Sequence, residues 1–284
     1  MPTNPPVVLT IAGFDPSSGA GVTADIKTIA AHGCYGLACI TALTVQSTSG
    51  VRRVEALKPS LISETLEELA ADVAISAVHV GMLADTSIVE VVADFLKEHK
   101  APNLVLDPIL RSSSGTDLLD KKGAEILLRR LLPLSAAVTP NAEEAAILTG
   151  LKTRSLDEIR EAAHRLHEMG ASAVVITGGH MEKATDLLSF KTSRGIEQEV
   201  FKSPRLESKS THGTGCAFAS AMACHLAHNR GLPEAVMLAK AYISAAISKA
   251  HPLGKGTGPL NHLYRMEQKR RAVAGDFHPE PVEH

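Results

Sequence analysis

Tryptophan is absent from the chain, and aromatic residues make up only 3% of its 284 positions. Nucleic acids are held on stacking rings or along basic stripes. Neither is available here, since 29 Lys and Arg face 31 Asp and Glu for a formal charge of −2. A nucleic-acid partner is therefore not expected. No apolar run approaches the ~20 residues that cross a bilayer. The opening MPTNPP lacks the charged start and apolar centre of a secretion signal, so the expected location is the cytoplasm, away from any membrane. The cysteines at 34, 39, 216 and 224 form neither a CxxC pair nor a zinc spacing, which points to free thiols in a reducing compartment. The pairs His164/His167 and His225/His228 stand three apart on expected helices, have no third ligand, and read as solvated faces. A P-loop, GxxxxGK[ST], is also missing, as is any internal repeat.

What is present is a regular alternation. The apolar run Val7 to Ala12 reads as a buried strand ending at Gly13, and FDPSSGAG then opens a helix from Val22 to Ala31. Strands are expected at 36–44, 54–57, 77–80, 104–106, 136–138 and 173–177, with helices at about 59–73, 86–99, 118–131, 142–148 and 156–169 between them. Ser155 and Glu158 have the spacing of a capping box. Strands near 186–190 and 197–201 follow without an intervening helix and suggest an edge hairpin. Helices at 215–229, 233–250 and near 260–271 close the chain. Strand and helix in turn mark an α/β domain whose mostly parallel sheet is covered on both faces. Residues 1–272 are read as one domain, and 273–284 as a polar tail expected to be mobile.

Ligands of an open parallel sheet gather beyond the carboxyl ends of its strands. Gly13, Gln46, Met82, Asp107, Asn141 and Thr177 occupy those positions. Gly19 to Ala24 fits a GxGxxA fingerprint, but it lies six residues past its strand, no acid closes the next strand, and Asp25 would repel pyrophosphate. A dinucleotide site is rejected. Asp107 and Glu144 could hold magnesium through water, while Asn141 with Glu144 equally reads as a helix cap and its N3 partner. Lys240 is the only charge from Ala235 to Ser248, so it has either a partner, a task or a route to solvent. In Ser210-Thr211-His212-Gly213-Thr214-Gly215-Cys216 two glycines allow a tight turn before a helix, which suits an anion and would favour a thiolate at Cys216. A plain loop with a small core residue is the alternative.

Taken in order, AGFDPSSGAGVTADIKT, TALTVQST, VGMLAD, VLDPI, TPNAEEAAILTG, VVITGGH and STHGTGCAFASA resemble the motif series of hydroxymethylpyrimidine and phosphomethylpyrimidine kinases. These are thiamine-biosynthetic members of the ribokinase-like superfamily. The resemblance runs from about Val7 to about Leu263 and implies a three-layer α/β/α ribokinase-like fold, ATP and Mg2+ as cofactors, a small pyrimidine substrate and a homodimer. It implies that Cys216 takes the place of the aspartate base of sugar kinases, and that Gly213, Thr214 and Gly215 form the anion hole. Gln46 would bond the aminopyrimidine, with Gly13, Asp25 and Met82 lining its pocket. Asp107 and Glu144 would serve the metal, and Asn141, Thr177, Thr211 and Lys240 the nucleotide. Thr177 stands where many relatives carry Lys, and Arg111 is a bulky charge after Asp107. A pyridoxal kinase of the same superfamily is the close alternative, and a catalytically silent pyrimidine-binding module the distant one. Gln46 speaks for the pyrimidine, and the intact Gly213 to Cys216, Asp107 and Glu144 speak against silence.

Overall fold

In the computed structural model, residues 4–112, 115–178 and 184–266 are described. In chain order they form β1 (Val7–Phe14), α1 (Gly21–Ala31), β2 (Tyr35–Ser47), β3 (Gly50–Ala56), α2 (Pro59–Asp72), β4 (Ala77–Val80), α3 (Thr86–Glu98), β5 (Leu104–Leu106) and α4 (Lys121–Arg130). Then come β6 (Ala137–Val138), α5 (Ala142–Thr149), α6 (Leu156–Glu168), β7 (Ala173–Gly178), β8 (Ala184–Thr192), β9 (Gly195–Ser203), α7 (Thr214–Ala227) and α8 (Leu232–Ser248). The strands make one nine-stranded sheet in the order β3-β2-β1-β4-β5-β6-β7-β8-β9. From β2 to β7 all pairings are parallel. β3 folds back antiparallel on β2 at one edge, and β8 and β9 form the expected hairpin at the other.

The period-two alternation of strand side chains sorts the core into two layers. Leu9, Ile11, Val78, Val80, Leu104 and Leu106 face α2, α3, α4 and α6, where Leu66, Val92, Leu127 and Leu166 are buried. Their neighbours Val8, Ala77, Val105, Ala137 and Ala173 point the other way, toward α1, α7 and α8. Side chains on that second face are shorter, so α7 can lie close against the sheet. Every α7 residue from Cys216 to Ala227 is buried.

The capping box of Ser155 and Glu158 forms as read. Elsewhere the structure revises the reading. α4 begins at Lys121, because Asp120 caps it through a 2.6 Å bond to the Gly123 N–H and leaves Leu118 and Leu119 in the preceding turn. The histidine pairs are split: His164 is exposed, but His167 is buried between Ala171 O and Ser189 Oγ, and His225 is buried while His228 is exposed. At the chain end, Leu260 lies in irregular backbone, helix begins only at Tyr264, and the remainder of the expected helix, with the tail 273–284, lies outside the described residues. Among the described residues no helix is long and apolar enough to cross a membrane.

Candidate active site

The loop after β1 and the start of α7 meet with no space between them. Gly213, the N-cap of α7, has φ 80°, and a Cβ there would stand 1.9 Å from Gly19 O. A Cβ on Gly19 would meet the His212 ring at 2.3 Å, and one on Gly21, φ 59°, would meet Gly13 O at 2.2 Å. Contact disfavours a side chain at all three, and at Gly213 and Gly21 the positive φ adds a conformational reason. Asp15 fastens the junction. Its Oδ1 accepts from Ser17 N at 2.8 Å and Ser17 Oγ at 2.7 Å, and its Oδ2 accepts from Ala20 N at 3.0 Å and lies 2.8 Å from His212 Nε2. Burial alone would raise the Asp15 pKa, but the bonds from His212, Ser17 and Ala20 override it and hold the carboxyl below its ordinary range.

His212 also reaches Gln46, whose Nε2 is 3.1 Å from the same ring nitrogen. Asp15 claims the Nε2 hydrogen of His212, so that nitrogen cannot also accept from the Gln46 amide, and the amide N–H is left for another acceptor. Met82 lies against Gly13, where an added Cβ would sit 2.9 Å from its sulfur, and its carbonyl accepts from Thr41 Oγ1 at 2.6 Å. Thr211 is exposed and its carbonyl accepts from Thr214 N at 3.4 Å.

On the inner side of the same helix start, Cys216 is buried with Asp107 and Glu144. Cys216 hydrogen-bonds Asp107 and receives the Gly21 N–H, and a Cβ on Gly215 would be 3.7 Å from Asp107 Oδ2. The expected thiolate is not what this environment favours. Burial, followed by the charges of Asp107, Asp25 and Glu144, pushes the thiol well above its ordinary value and outweighs the helix N-terminus and the Gly21 N–H. Burial likewise raises Asp107, with Asp25 adding to it, and Glu144 is raised by burial and then by Asp107. Two buried carboxylates that repel each other are a setting into which a hard cation fits. Among the described residues no group of three or more His, Cys, Asp or Glu could hold a metal, so further ligands would be water or phosphate oxygens.

Asp25 does not line a pocket. It is fully enclosed, with Oδ2 accepting from Thr10 Oγ1 and Oδ1 from Ser220 Oγ, each at 2.7 Å, and with His79 Nδ1 3.4 Å away. Both hydroxyl hydrogens go to Asp25, so the Nδ1 of His79, 3.2 Å from Thr10 and 3.1 Å from Ser220, carries its own hydrogen. The result is a polar foundation joining β1, β4, α1 and α7 beneath the cysteine.

The third part lies at the ends of β6 and β7. Asn141 caps α5 and Glu144 returns the bond, each at 2.9 Å, so the capping role is realised by both residues while Glu144 also faces Asp107. Thr177 N donates to Pro140 O at 3.0 Å and pairs the two strand ends. Lys240 has found its partner in Asp186 of β8 at 2.6 Å, and also donates to Ala184 O at 3.1 Å. Asp186 in turn accepts from Gly178 N at 3.1 Å, at the end of β7. Arg111 is exposed and pairs with Asp117 at 2.6 Å and Glu143 at 3.8 Å.

The model of the phosphomethylpyrimidine kinase family matches residues 15–261. The chain belongs to the phosphomethylpyrimidine kinase family. It is 42% identical over 259 residues to a hydroxymethylpyrimidine/phosphomethylpyrimidine kinase of Salmonella typhimurium, covering 90% of this chain and 97% of the relative. A bifunctional thiamine biosynthesis protein of Geobacter sulfurreducens is also 42% identical, over 93% of this chain, but this chain spans only 53% of that longer protein. In structure the kinase is similar to a Bacillus subtilis pyridoxal kinase solved as an ADP complex, with a TM-score of 0.84 and 33% identity over 93% of this chain and all of the other. The fold is thus the ribokinase-like one that the motif series implied.

The kinase carries residues in this region to which the sequence alone gives no role: Asp15, His212, His79, Ser220 and Asp186. Asp15 lies just past a strand-end glycine, where the rule that collected Gly13 would have reached it. His79 is a lone ionisable group in the buried strand AVHV, a signal of the same kind as Lys240. Ser220 and Asp186 are ordinary in sequence and acquire meaning only from partners 195 and 54 positions away.

Proposed function

We propose that the protein transfers the γ-phosphoryl group of ATP to the hydroxymethyl oxygen of 4-amino-5-hydroxymethyl-2-methylpyrimidine, and then phosphorylates the resulting monophosphate. It acts as a single kinase domain, in the cytoplasm and as a homodimer. The observation that carries this reading is the junction of the α7 start with Asp107: backbone N–H groups at Gly213 to Cys216, a thiol and a carboxylate share one small space. Phosphoryl transfer proceeds through a loose transition state, so the main tasks are alignment and neutralisation of oxygen charge.

The N–H groups at the start of α7, Gly215 and Cys216 foremost because Thr214 N already donates to Thr211 O, receive the moving phosphoryl oxygens. Gln46 offers its free amide N–H to a pyrimidine ring nitrogen, while Gly13 and Met82 form an apolar wall for the flat ring. Asp25, with His79, Thr10 and Ser220, supports that wall from beneath. Asp107 and Glu144 would hold Mg2+, which when bound neutralises phosphate charge. Asn141, Thr177, Thr211 and the remaining N–H of Lys240 face the nucleotide. Cys216 keeps its proton in the free enzyme, so its sulfur orients the substrate hydroxyl as a hydrogen-bond acceptor, and the hydroxyl proton leaves with the oxygens of the transferred phosphoryl group as the new P–O bond forms. With Thr177 in place of a lysine, one cationic contact is absent, and Lys240 is largely committed to Asp186.

The likeness to a pyridoxal kinase supports a second substrate, since pyridoxal also carries a hydroxymethyl group on a flat nitrogen ring. Parallel assays with both compounds decide between them, and faster turnover of pyridoxal would overturn the pyrimidine reading. For the mechanism, Cys216→Ala is expected to keep pyrimidine binding by calorimetry and to lose about a hundredfold or more of kcat. Unchanged kcat would remove Cys216 from the chemistry.

A further inference from the structure

At the pyrimidine side of the site, one run of hydrogen bonds does not balance as its donors and acceptors stand. His212 Nε2 gives its hydrogen to Asp15 Oδ2 at 2.8 Å. Asp15 can only accept, because Ser17 N, Ser17 Oγ and Ala20 N all donate to the same carboxylate. The Asp15 and His212 side chains are 4% and 11% exposed, so the ring N–H is held from the inside. Gln46 meets this N–H with its own Nε2 at 3.1 Å, donor against donor. Its Oε1 lies 3.1 Å from Thr44 Oγ1, whose single hydrogen also reaches Phe14 O at 3.0 Å.

A half-turn of the glutamine amide exchanges its two ends and removes both conflicts. The oxygen would then face the His212 N–H, whose dipole attracts an oxygen and repels an NH2 group even while the hydrogen itself belongs to Asp15. The nitrogen would donate one hydrogen to Thr44 Oγ1, and Thr44 would donate its own to Phe14 O, a carbonyl that only accepts.

We propose that His212, locked by Asp15, is a positioning residue for specificity: it fixes the Gln46 amide with oxygen toward His212 and nitrogen toward Thr44, so that the site reads an amidine edge. The inference rests on the pyrimidine reading above. In this orientation Gln46 keeps one hydrogen and one oxygen lone pair unused. They match a ring nitrogen that accepts beside an exocyclic amine that donates, as in a 4-aminopyrimidine. Pyridoxal has no such edge, since a methyl-bearing carbon separates its ring nitrogen from its ring hydroxyl. Without an N–H at position 212 the amide is free to turn, and the turned amide sets its hydrogens against the substrate amine.

The test compares kcat/KM for 4-amino-5-hydroxymethyl-2-methylpyrimidine with that for the analogue bearing hydrogen in place of the amine. The unsubstituted protein should prefer the amine by about tenfold or more, the worth of a hydrogen bond in a site built to receive it. In His212→Leu the preference should fall to about threefold or less, through KM for the amine and with KM for ATP unchanged. His212→Gln, which offers an N–H near the Nε2 position, should keep most of the preference. Thr44→Val keeps the volume, removes the hydroxyl at the other end of the amide and does not touch the α7 start; it should lower the preference as well, and it gives the answer if His212→Leu does not fold. A role confined to the fold would slow both compounds alike. An undiminished preference in His212→Leu or in Thr44→Val, or a His212→Gln variant as indiscriminate as His212→Leu, would therefore overturn the proposal. Failure of the unsubstituted protein to phosphorylate the aminopyrimidine would overturn the pyrimidine reading and this inference with it, whereas turnover with no preference for the amine would overturn this inference alone.

Discussion

Replacing Lys240 with methionine separates a structural ion pair from a nucleotide contact. The Lys240 and Asp186 side chains are 12% and 9% exposed and 2.6 Å apart. At an effective dielectric near 20 the attraction at that separation is about 6 kcal/mol, much of it offset by the desolvation of both groups. What survives replacement is an unpaired carboxylate: Asp186 keeps only the Gly178 N–H at 3.1 Å. Removing one partner of such a pair costs about 3–5 kcal/mol, and because methionine fills the volume we expect the low end, about 3 kcal/mol. For a domain of this size that is roughly 6–12 °C in Tm. The assay is thermal unfolding of Lys240→Met, Asp186→Leu and the double variant, with KM for ATP measured on each. The double variant should regain more than half of the loss, because no buried charge is left without a partner. If Lys240→Met kept its Tm within a degree and instead raised KM for ATP tenfold, the lysine would be serving the nucleotide and the argument from the pair would fail.

Three further outcomes are expected. Gln46→Ala should weaken pyrimidine binding about tenfold by calorimetry and leave ATP binding unchanged, the loss of one buried hydrogen bond; equal weakening of both would misplace the residue. Gly213→Ala should be strongly impaired in folding or activity, since its Cβ would stand 1.9 Å from Gly19 O at a φ of 80°; wild-type Tm and kcat together would show that the junction can open without penalty. Burial holds His32, His225 and His262 down at about 4 against an ordinary 6.5, so their folded forms bind fewer protons than the unfolded chain between those values. Stability from them is complete above pH 6.5 and falls as pH drops toward 4, by up to about 3 kcal/mol for each. A Tm that stays level from pH 7 to pH 5, or a slope that His262→Gln does not reduce, would count against this.

The order of elements was legible because each strand and helix carries its own period. The alternation of Leu9 and Ile11 with Val8 and Thr10, or of Leu104 and Leu106 with Val105, is local information. Strand ends were legible for the same reason, and they gave Asp107, Asn141 and Thr177 their places. What could not be read was pairing at a distance. Asp15 and His212 are 197 residues apart, and neither has a local signature that names the other. The family resemblance places Asp25 on a pocket wall, but helix phase turns it inward to Thr10 and Ser220. The thiolate expected at Cys216 failed through an effect of sums: a helix start and one N–H favour the anion, but three nearby carboxylates and burial oppose it. The family motif series named these residues without revealing this balance.

The shallow face of the sheet leaves α7 little latitude. Alanines at 217, 219, 221, 223 and 227 fall on more than one face of α7, and alanines 77, 137 and 173 lie on the sheet face of the same core, so the helix packs closely on several sides. A helix seated this way behaves as a stiff rod held along its length, so its two ends are mechanically linked. A methyl group added anywhere under it would lift the whole rod, and the turn at its N-terminus would lose register with Asp107 although no residue there had changed. Variants that inactivate the protein should therefore also be found along the small-residue seam, well away from any bound substrate.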